Sequence, residues 1–501
     1  MRSTYKIRCN TSEILILLFY LVMGFPFTGF SQHTFEEWKK EQLREFQEFR
    51  NERDKEFYEL LKSNWVEINA FKPRPQYDGA KPSLQPKLDK PANLIPSDER
   101  PEIPAPINEL SLESARETVS IRQEHEEHLP PNEWASRPGF LNTPIDFFEL
   151  SLELHYPESL KFTLPARNEE HISNVWRQLG SSDYQPVVKQ FGAIRERIGL
   201  NDWGYILLLH QAGQHIYGAG SDESILFTWF MMTREGFITK VGYDQNGVYL
   251  LIASEAQFFG TRYFTINNQK YYALDLNNGQ VVPSSIFTYE GNHPDTGTIL
   301  DLNLQATPRL QKSLMKRSLH FTYGDTTYNI PVHINRNVIA FYELYPLTEF
   351  NIYFKASTAP ETQADLYTPL ARAVEGKTET EAVNMILRFV QTAFQYKTDR
   401  EQFGREKYFF PEETLYYPYS DCEDRAVLFT RLVKDILGLE VIGIKYPRHL
   451  ATAVKFTNPP KGDYVMHHGE TYTVSDPTYY NANIGMTMPQ MRKYKPEIVT
   501  F

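Results

Sequence analysis

Tyr419-Ser420-Asp421-Cys422-Glu423-Asp424-Arg425-Ala426-Val427-Leu428-Phe429 is the stretch on which the reading of this chain turns. Ser420 with Glu423 reads as a Ser-x-x-Glu capping box. Apolar residues follow at helical spacing (Val427, Leu428, Leu432, Val433, Ile436), and Gly438 stands as a helix stop. Cys422 is therefore expected in the first turn of a buried helix. There, free backbone N–H groups and the positive end of the helix dipole favour a thiolate and can stabilise an oxyanion. Beyond Gly438, residues 440–446 read as a strand, 449–456 as a second, and 471–475 as a third that runs into Asp476-Pro477-Thr478. Cys422 lies 27 residues before His449, and His449 lies 27 before Asp476. A nucleophile on a helix with His and Asp on neighbouring strands is the layout of a thiol–imidazole–carboxylate triad.

These residues resemble the transglutaminase-like superfamily of papain-type folds. The resemblance rests on Ser420-Asp421-Cys422-Glu423-Asp424 with Ala426 and Leu428, on His449 followed by Ala451 and Val454, and on Val474-Ser475-Asp476-Pro477-Thr478. The family pattern is Gly-Asp-Cys, a His at a strand start, and Asp-Pro-Thr; Ser420 departs from it, standing where Gly is usual. The likeness covers roughly residues 365–490. It implies Cys422 as nucleophile, His449 as base and Asp476 as its orienting partner.

Composition narrows the alternatives. The 501 residues include two cysteines, Cys9 and Cys422, which excludes a disulfide-rich scaffold or a multi-thiolate metal site. A net charge of −11 argues against nucleic acid as a partner. Residues 1–31 read as a secretory signal: Arg2, Lys6 and Arg8, an apolar run at 14–25, then Gly29-Phe30-Ser31 as a cleavage site. The run is short for a membrane span, and an uncleaved anchor is the alternative. The mature, exported chain would keep Cys422 alone.

Residues 34–66 hold three 11-residue repeats in which Phe35 and Trp38 recur as Phe46 and Phe49, then as Phe57 and Leu60. Eleven residues make about three turns, so one amphipathic helix is expected within 32–69, packing on the chain's own body or serving as an oligomer or partner helix. Nine prolines from Pro73 to Pro106 mark 70–138 as an extended spacer, with a charged, helix-compatible stretch at 111–128.

A second, degenerate copy is read at 139–285. Ser221-Asp222-Glu223-Ser224-Ile225-Leu226-Phe227 parallels the Cys422 stretch; 248–253 stands where His449 begins its strand, and Tyr271-Tyr272-Ala273-Leu274-Asp275 where Asp476 ends one. Helices at 203–217 and 383–396 correspond. Of the triad only Asp275 survives. Tyr217 to Ser221 is 4 residues, whereas Tyr396 to Ser420 is 24. The extra loop is expected beside Cys422 as a wall or lid, with Gln402, Tyr417 or Tyr419 as oxyanion or cleft candidates. Residues 286–360, with strands at 318–323, 327–330 and 338–342, read as a small β-rich domain, and 361–501 as the catalytic one.

The expected fold class is α+β. The expected function is an exported cysteine enzyme that cleaves or transfers an amide or peptide acyl group through a thioester, hydrolysis being favoured. It would act on a protein or peptide, without cofactor or metal; His467 and His468 read as a solvated hairpin. The alternative is a non-catalytic binding scaffold.

Overall fold

The computed structural model describes residues 32–72, 81–92, 137–277 and 282–501. The signal reading of 1–31 and the helix at 111–128 lie outside them. The chain divides into two units, one ending at Glu56 and one running from Phe57 to Phe501. Helix α1 (Gln32–Ser63) spans the division. In the first unit Trp38 is exposed, while in the second Phe57 and Leu61 are buried. Phe35, Phe46 and Phe49 lie outside the described side chains.

The helix stops short of residue 66. Trp65-Val66-Glu67-Ile68-Asn69 forms strand β1 and pairs antiparallel with β8 (Ser285–Tyr289). Aromatic and β-branched side chains suit a pleated edge better than another helical turn.

One order of parts occurs twice in the second unit. The first pass begins with the hairpin β2 (Phe140–Phe147) and β3 (Leu150–Pro157). Helices α2 (Glu169–Ser181), α3 (Gln185–Ile198), α4 (Asp202–Tyr217) and α5 (Asp222–Arg234) follow. Next come β4 (Thr239–Tyr243), β5 (Val248–Ala253), β6 (Tyr263–Ile266) and β7 (Gln269–Leu274), and then β8. The second pass has the hairpin β9 (Leu314–Tyr323) and β10 (Thr326–Asn335). It continues through α6 (Arg336–Glu343), α7 (Phe350–Lys355), α8 (Pro360–Val374) and α9 (Glu379–Thr392). Strand β11 (Gln395–Tyr396), helices α10 (Asp399–Phe403) and α11 (Pro411–Tyr416), and β12 (Tyr419–Ser420) come before α12 (Cys422–Leu432). The closing strands are β13 (Val441–Tyr446), β14 (His449–Val454), β15 (Tyr464–His467), β16 (Glu470–Ser475) and β17 (Glu497–Val499).

The sheets match strand for strand. The first runs β1-β8-β4-β5-β7-β6 and the second β17-β13-β14-β16-β15, so apart from β1 the order is the same. In each pass the later of two consecutive helices packs on the first hairpin strand (α4 on β2, α9 on β9) and the earlier one on the second (α3 on β3, α8 on β10). The boundaries expected from sequence therefore move. Strand β8 belongs to the first sheet, and the hairpin at 314–335 corresponds to β2–β3 rather than to a separate β-domain. Residues 338–342, expected as a strand, lie within helix α6, capped by the Asn335 side chain, with Val338, Ile339, Phe341 and Tyr342 buried. Five consecutive apolar residues, Val338 to Tyr342, fit either period, and here the cap decides.

Both central hairpins are buried almost throughout, because both faces of each sheet are covered. On one face of the second sheet Ile442, Ile444, Ala451, Ala453, Tyr472 and Val474 pack with Tyr479, Met488 and Met491, and with Leu88 of the Pro-rich stretch. At the end of this sheet two glycine backbones meet. A Cβ on Gly485, whose φ is +74°, would stand 2.9 Å from Gly462 Cα and 3.0 Å from Lys461 O. Gly485→Ala is expected to cost about 2–4 kcal/mol from left-handed strain plus overpacking, read as a lowered urea midpoint.

Candidate active site

The local chain sets where the helix begins. Tyr396 and Ser420 pair in parallel, which leaves Ser420 extended and turns its Oγ to accept from Arg425 Nε at 3.1 Å. The cap thus falls one residue later than the sequence suggests. Asp421 is the N-cap, and its backbone N–H donates to Asp424 Oδ2 at 3.0 Å. Cys422 is the first helical residue, so its own N–H has no acceptor inside the helix.

Helix α12 packs on β14, the strand that His449 opens. His449 Nε2 lies 2.8 Å from Asp476 Oδ2. The other Asp476 oxygen, Oδ1, accepts from the N–H groups of Thr478 (2.9 Å) and Tyr479 (3.2 Å), which fixes the carboxylate. Gln391 grips the same turn, its Nε2 donating to the carbonyls of Asp476, Tyr479 and Ala482. Tyr446, paired with His449 across the strands, lies nearly parallel to the imidazole at 6.5 Å.

The thiol departs from expectation. Cys422 is 1% exposed, and Sγ donates to Glu423 Oε2 at 2.9 Å rather than to His449. Burial, then the Glu423 and Asp421 carboxylates, push the thiol well above its ordinary value, while Lys81 draws it down. The helix start favours a thiolate, but a dry pocket with two adjacent carboxylates outweighs a half-charge of dipole, so the resting site holds the neutral thiol.

Those carboxylates belong to a buried cluster. Asp399, Asp421, Glu423 and Asp424 are each at most 2% exposed. The Lys81 ammonium enters it, 2.8 Å from Asp421 Oδ2, 2.8 Å from Glu406 Oε2 and 3.1 Å from Asp399 Oδ2, and in direct contact with Glu423 Oε1. Burial and neighbouring like charge push the carboxyls of Asp399, Glu423 and Asp424 upward, Asp399 to about 8. Although burial opposes it, the ammonium is held well above its usual value by Asp421, Glu423 and Asp399. Carboxylate oxygens of Asp399, Asp421 and Asp424 lie within 4.8 Å of one another, a spacing a cation could bridge. The positive charge there is the lysine's, and no metal is assigned.

Lys81 opens the described part of the Pro-rich stretch, so residues 81–92 are no free spacer. The backbone of this stretch bonds to the turn after Asp476: Tyr480 N–H to Pro86 O (2.9 Å), Leu88 N–H to Tyr480 O and Ala92 N–H to Asn481 O (both 3.0 Å).

The inserted loop lies beside the helix start as expected, with Asp399 N–H donating to Asp421 Oδ2 (3.4 Å) and Phe409 N–H to Asp424 Oδ1 (3.1 Å). The three oxyanion candidates in it fare differently. The Tyr417 ring stacks on Phe409, and its hydroxyl donates to Glu343. Tyr419 pairs with Gln395 under the Lys397 ammonium. Gln402 is half-buried on α10. No hydrogen bond joins any of these three side chains to Cys422 among the described residues. Tyr396, passed over in the sequence, lies in the electrostatic reach of Cys422 and donates its hydroxyl to Pro82 O at 2.8 Å. Its counterpart in the first pass, Tyr217, was the available signal.

In the first pass the same framework carries no thiol. Asp222 Oδ1 accepts from Val248 N–H at 3.0 Å, and Glu223 Oε1 from Leu164 N–H at 2.9 Å. A cavity of about 700 Å³ there is lined by Glu67, Arg167, Tyr243, Asp244 and Phe287 among others; Cys422 does not border it. Among the described residues no helix is long and apolar enough to cross a membrane. Comparison of the chain with known protein families, with curated proteins and with solved structures returns no match.

Proposed function

We propose that this chain is a transglutaminase-like cysteine acyl-transfer enzyme, exported, with Cys422 as nucleophile. The observation that carries the reading is a free thiol, the one among the described residues, at the start of a buried helix that packs on the strand His449 opens, with His449 2.8 Å from Asp476. Sγ loses its proton to His449 and attacks an amide carbonyl carbon. The Cys422 N–H then faces the oxyanion. His449 returns the proton to the departing amine, leaving a thioester that water resolves, with an amine as the competing acceptor. The repeated order of parts supports reading residues 140–289 as a copy that has lost the chemistry and serves packing or substrate binding.

A second reading has an observation of its own. A thiol bonded to glutamate and shut from solvent also fits a binding scaffold that inherited its triad. An activity-based thioester-forming probe separates the two. The enzyme reading expects one adduct, at Cys422, that is lost in Cys422→Ala and in heat-denatured protein. A His449→Ala variant that labels as fast as the parent would support the scaffold.

A further inference from the structure

We propose that Lys81, some 340 residues before the nucleophile, is a positioning residue of the Cys422 site: its ammonium holds Glu423 and Asp421 so that the thiol can ionise. The inference rests on the reading of Cys422 as nucleophile. It concerns a segment that the sequence presents as a linker.

Three observations carry it. The stretch from Lys81 is built onto the site. Besides the three backbone bonds to Tyr480 and Asn481, Pro82 O accepts from Tyr396, and Gln85 Nε2 donates to Thr478 O at 3.1 Å. Prolines 82, 86 and 91 offer no N–H and fix φ, so the stretch reaches the site extended and with few donors to satisfy.

Next, Lys81 binds the very carboxylate that accepts the hydrogen bond of the resting thiol. Nζ contacts Glu423 Oε1, and Sγ donates to Glu423 Oε2. Arg425, on the same helix, also lies within electrostatic reach of the thiol. Arg425 is committed elsewhere, to Ser420 Oγ and to the carbonyls of Gln391 (3.2 Å) and Phe394 (3.0 Å). Tyr396 lies within electrostatic reach of the thiol, the His449–Asp476 pair belongs to the sheet on which the helix packs, and Asp399, Glu406 and Tyr408 stand about Lys81.

Finally, the cluster is incomplete without Lys81. One Asp421 oxygen, Oδ1, is buried with no hydrogen-bond partner among the described residues, and the other is held by Lys81. Remove the ammonium, and Asp421 and Glu423 face Sγ uncompensated in a medium where unit charges a few ångströms apart interact strongly. Forming a second negative charge on sulfur then becomes harder.

The test is the pH profile of Cys422 alkylation by iodoacetamide in the full chain, read by mass spectrometry, with circular dichroism confirming the fold. Lys81→Met is expected to raise the alkylation midpoint by about one pH unit or more, and so to slow labelling about tenfold at a fixed pH below it. Lys81→Arg should restore most of the shift. An unmoved midpoint overturns the proposal. So does faster labelling at every pH with the midpoint unchanged, which would make the stretch a cover. Should Lys81→Met not fold, the pair Glu423→Gln and Glu423→Gln/Lys81→Met is read instead. Adding the lysine change must raise the midpoint again, and no rise overturns the proposal. A shifted midpoint in a protein with no acyl-transfer activity upholds the role of Lys81 and removes the enzyme reading. Activity with an unmoved midpoint in Lys81→Met does the reverse.

Discussion

Asp476→Asn should lower turnover on an amide substrate by about 10³–10⁴ while leaving the protein folded. The geometry makes this substitution unusually clean. Oδ1 holds the turn through the N–H groups of Thr478 and Tyr479, and an asparagine oxygen can keep both bonds. Oδ2 faces His449 Nε2 at 2.8 Å. With aspartate there, Nε2 carries the proton and Nδ1 is left as a base. An amide NH₂ in its place donates, forces Nε2 to accept, and puts the proton on Nδ1. The imidazole is then in the wrong tautomer to take a proton from sulfur. Turnover measured against pH, beside a thermal melt, checks the point: a melt near the parent's with turnover unchanged would sink the triad.

Arg425→Met should cost about 3–5 kcal/mol of stability, seen as a lower urea midpoint. The side chain is fully buried, and burial lowers its pKa to about 10. Its three guanidinium nitrogens each donate, to Ser420 Oγ and to the carbonyls of Gln391 and Phe394, tying the first turn of α12 to the end of α9. Methionine fills the volume but strands those acceptors in a dry interior. Lysine keeps the charge yet cannot span three acceptors as a planar fork, so Arg425→Lys should fall between the two. Loss of less than about 1 kcal/mol in Arg425→Met would mean that water reaches the carbonyls.

Much of the site is legible in the residues because its parts are local. A helix start is written by a polar cap, an apolar period and a glycine stop, all within 20 residues of Cys422. Strand β14 follows β13 across a tight turn, so the two are read together. The internal repeat is legible for the same reason, since equal parts in equal order need no contact to be compared. The misplacements are also local in cause. Trp65–Asn69 continued the helix only on paper, because pairing with β8 lies more than 200 residues away. Residues 338–342 fitted two periods, and one cap decided between them.

The state of the thiol is of another kind. The sequence alone determined which residue types could carry the chemistry and where the helix dipole would point. Only the tertiary structure brought Asp399 from the inserted loop, and Lys81 from a proline-rich stretch, against Asp421 and Glu423. Whether sulfur holds its proton depends on the sum of burial and nearby charge, and that sum is made of groups far apart in the chain. No pattern of spacing records it.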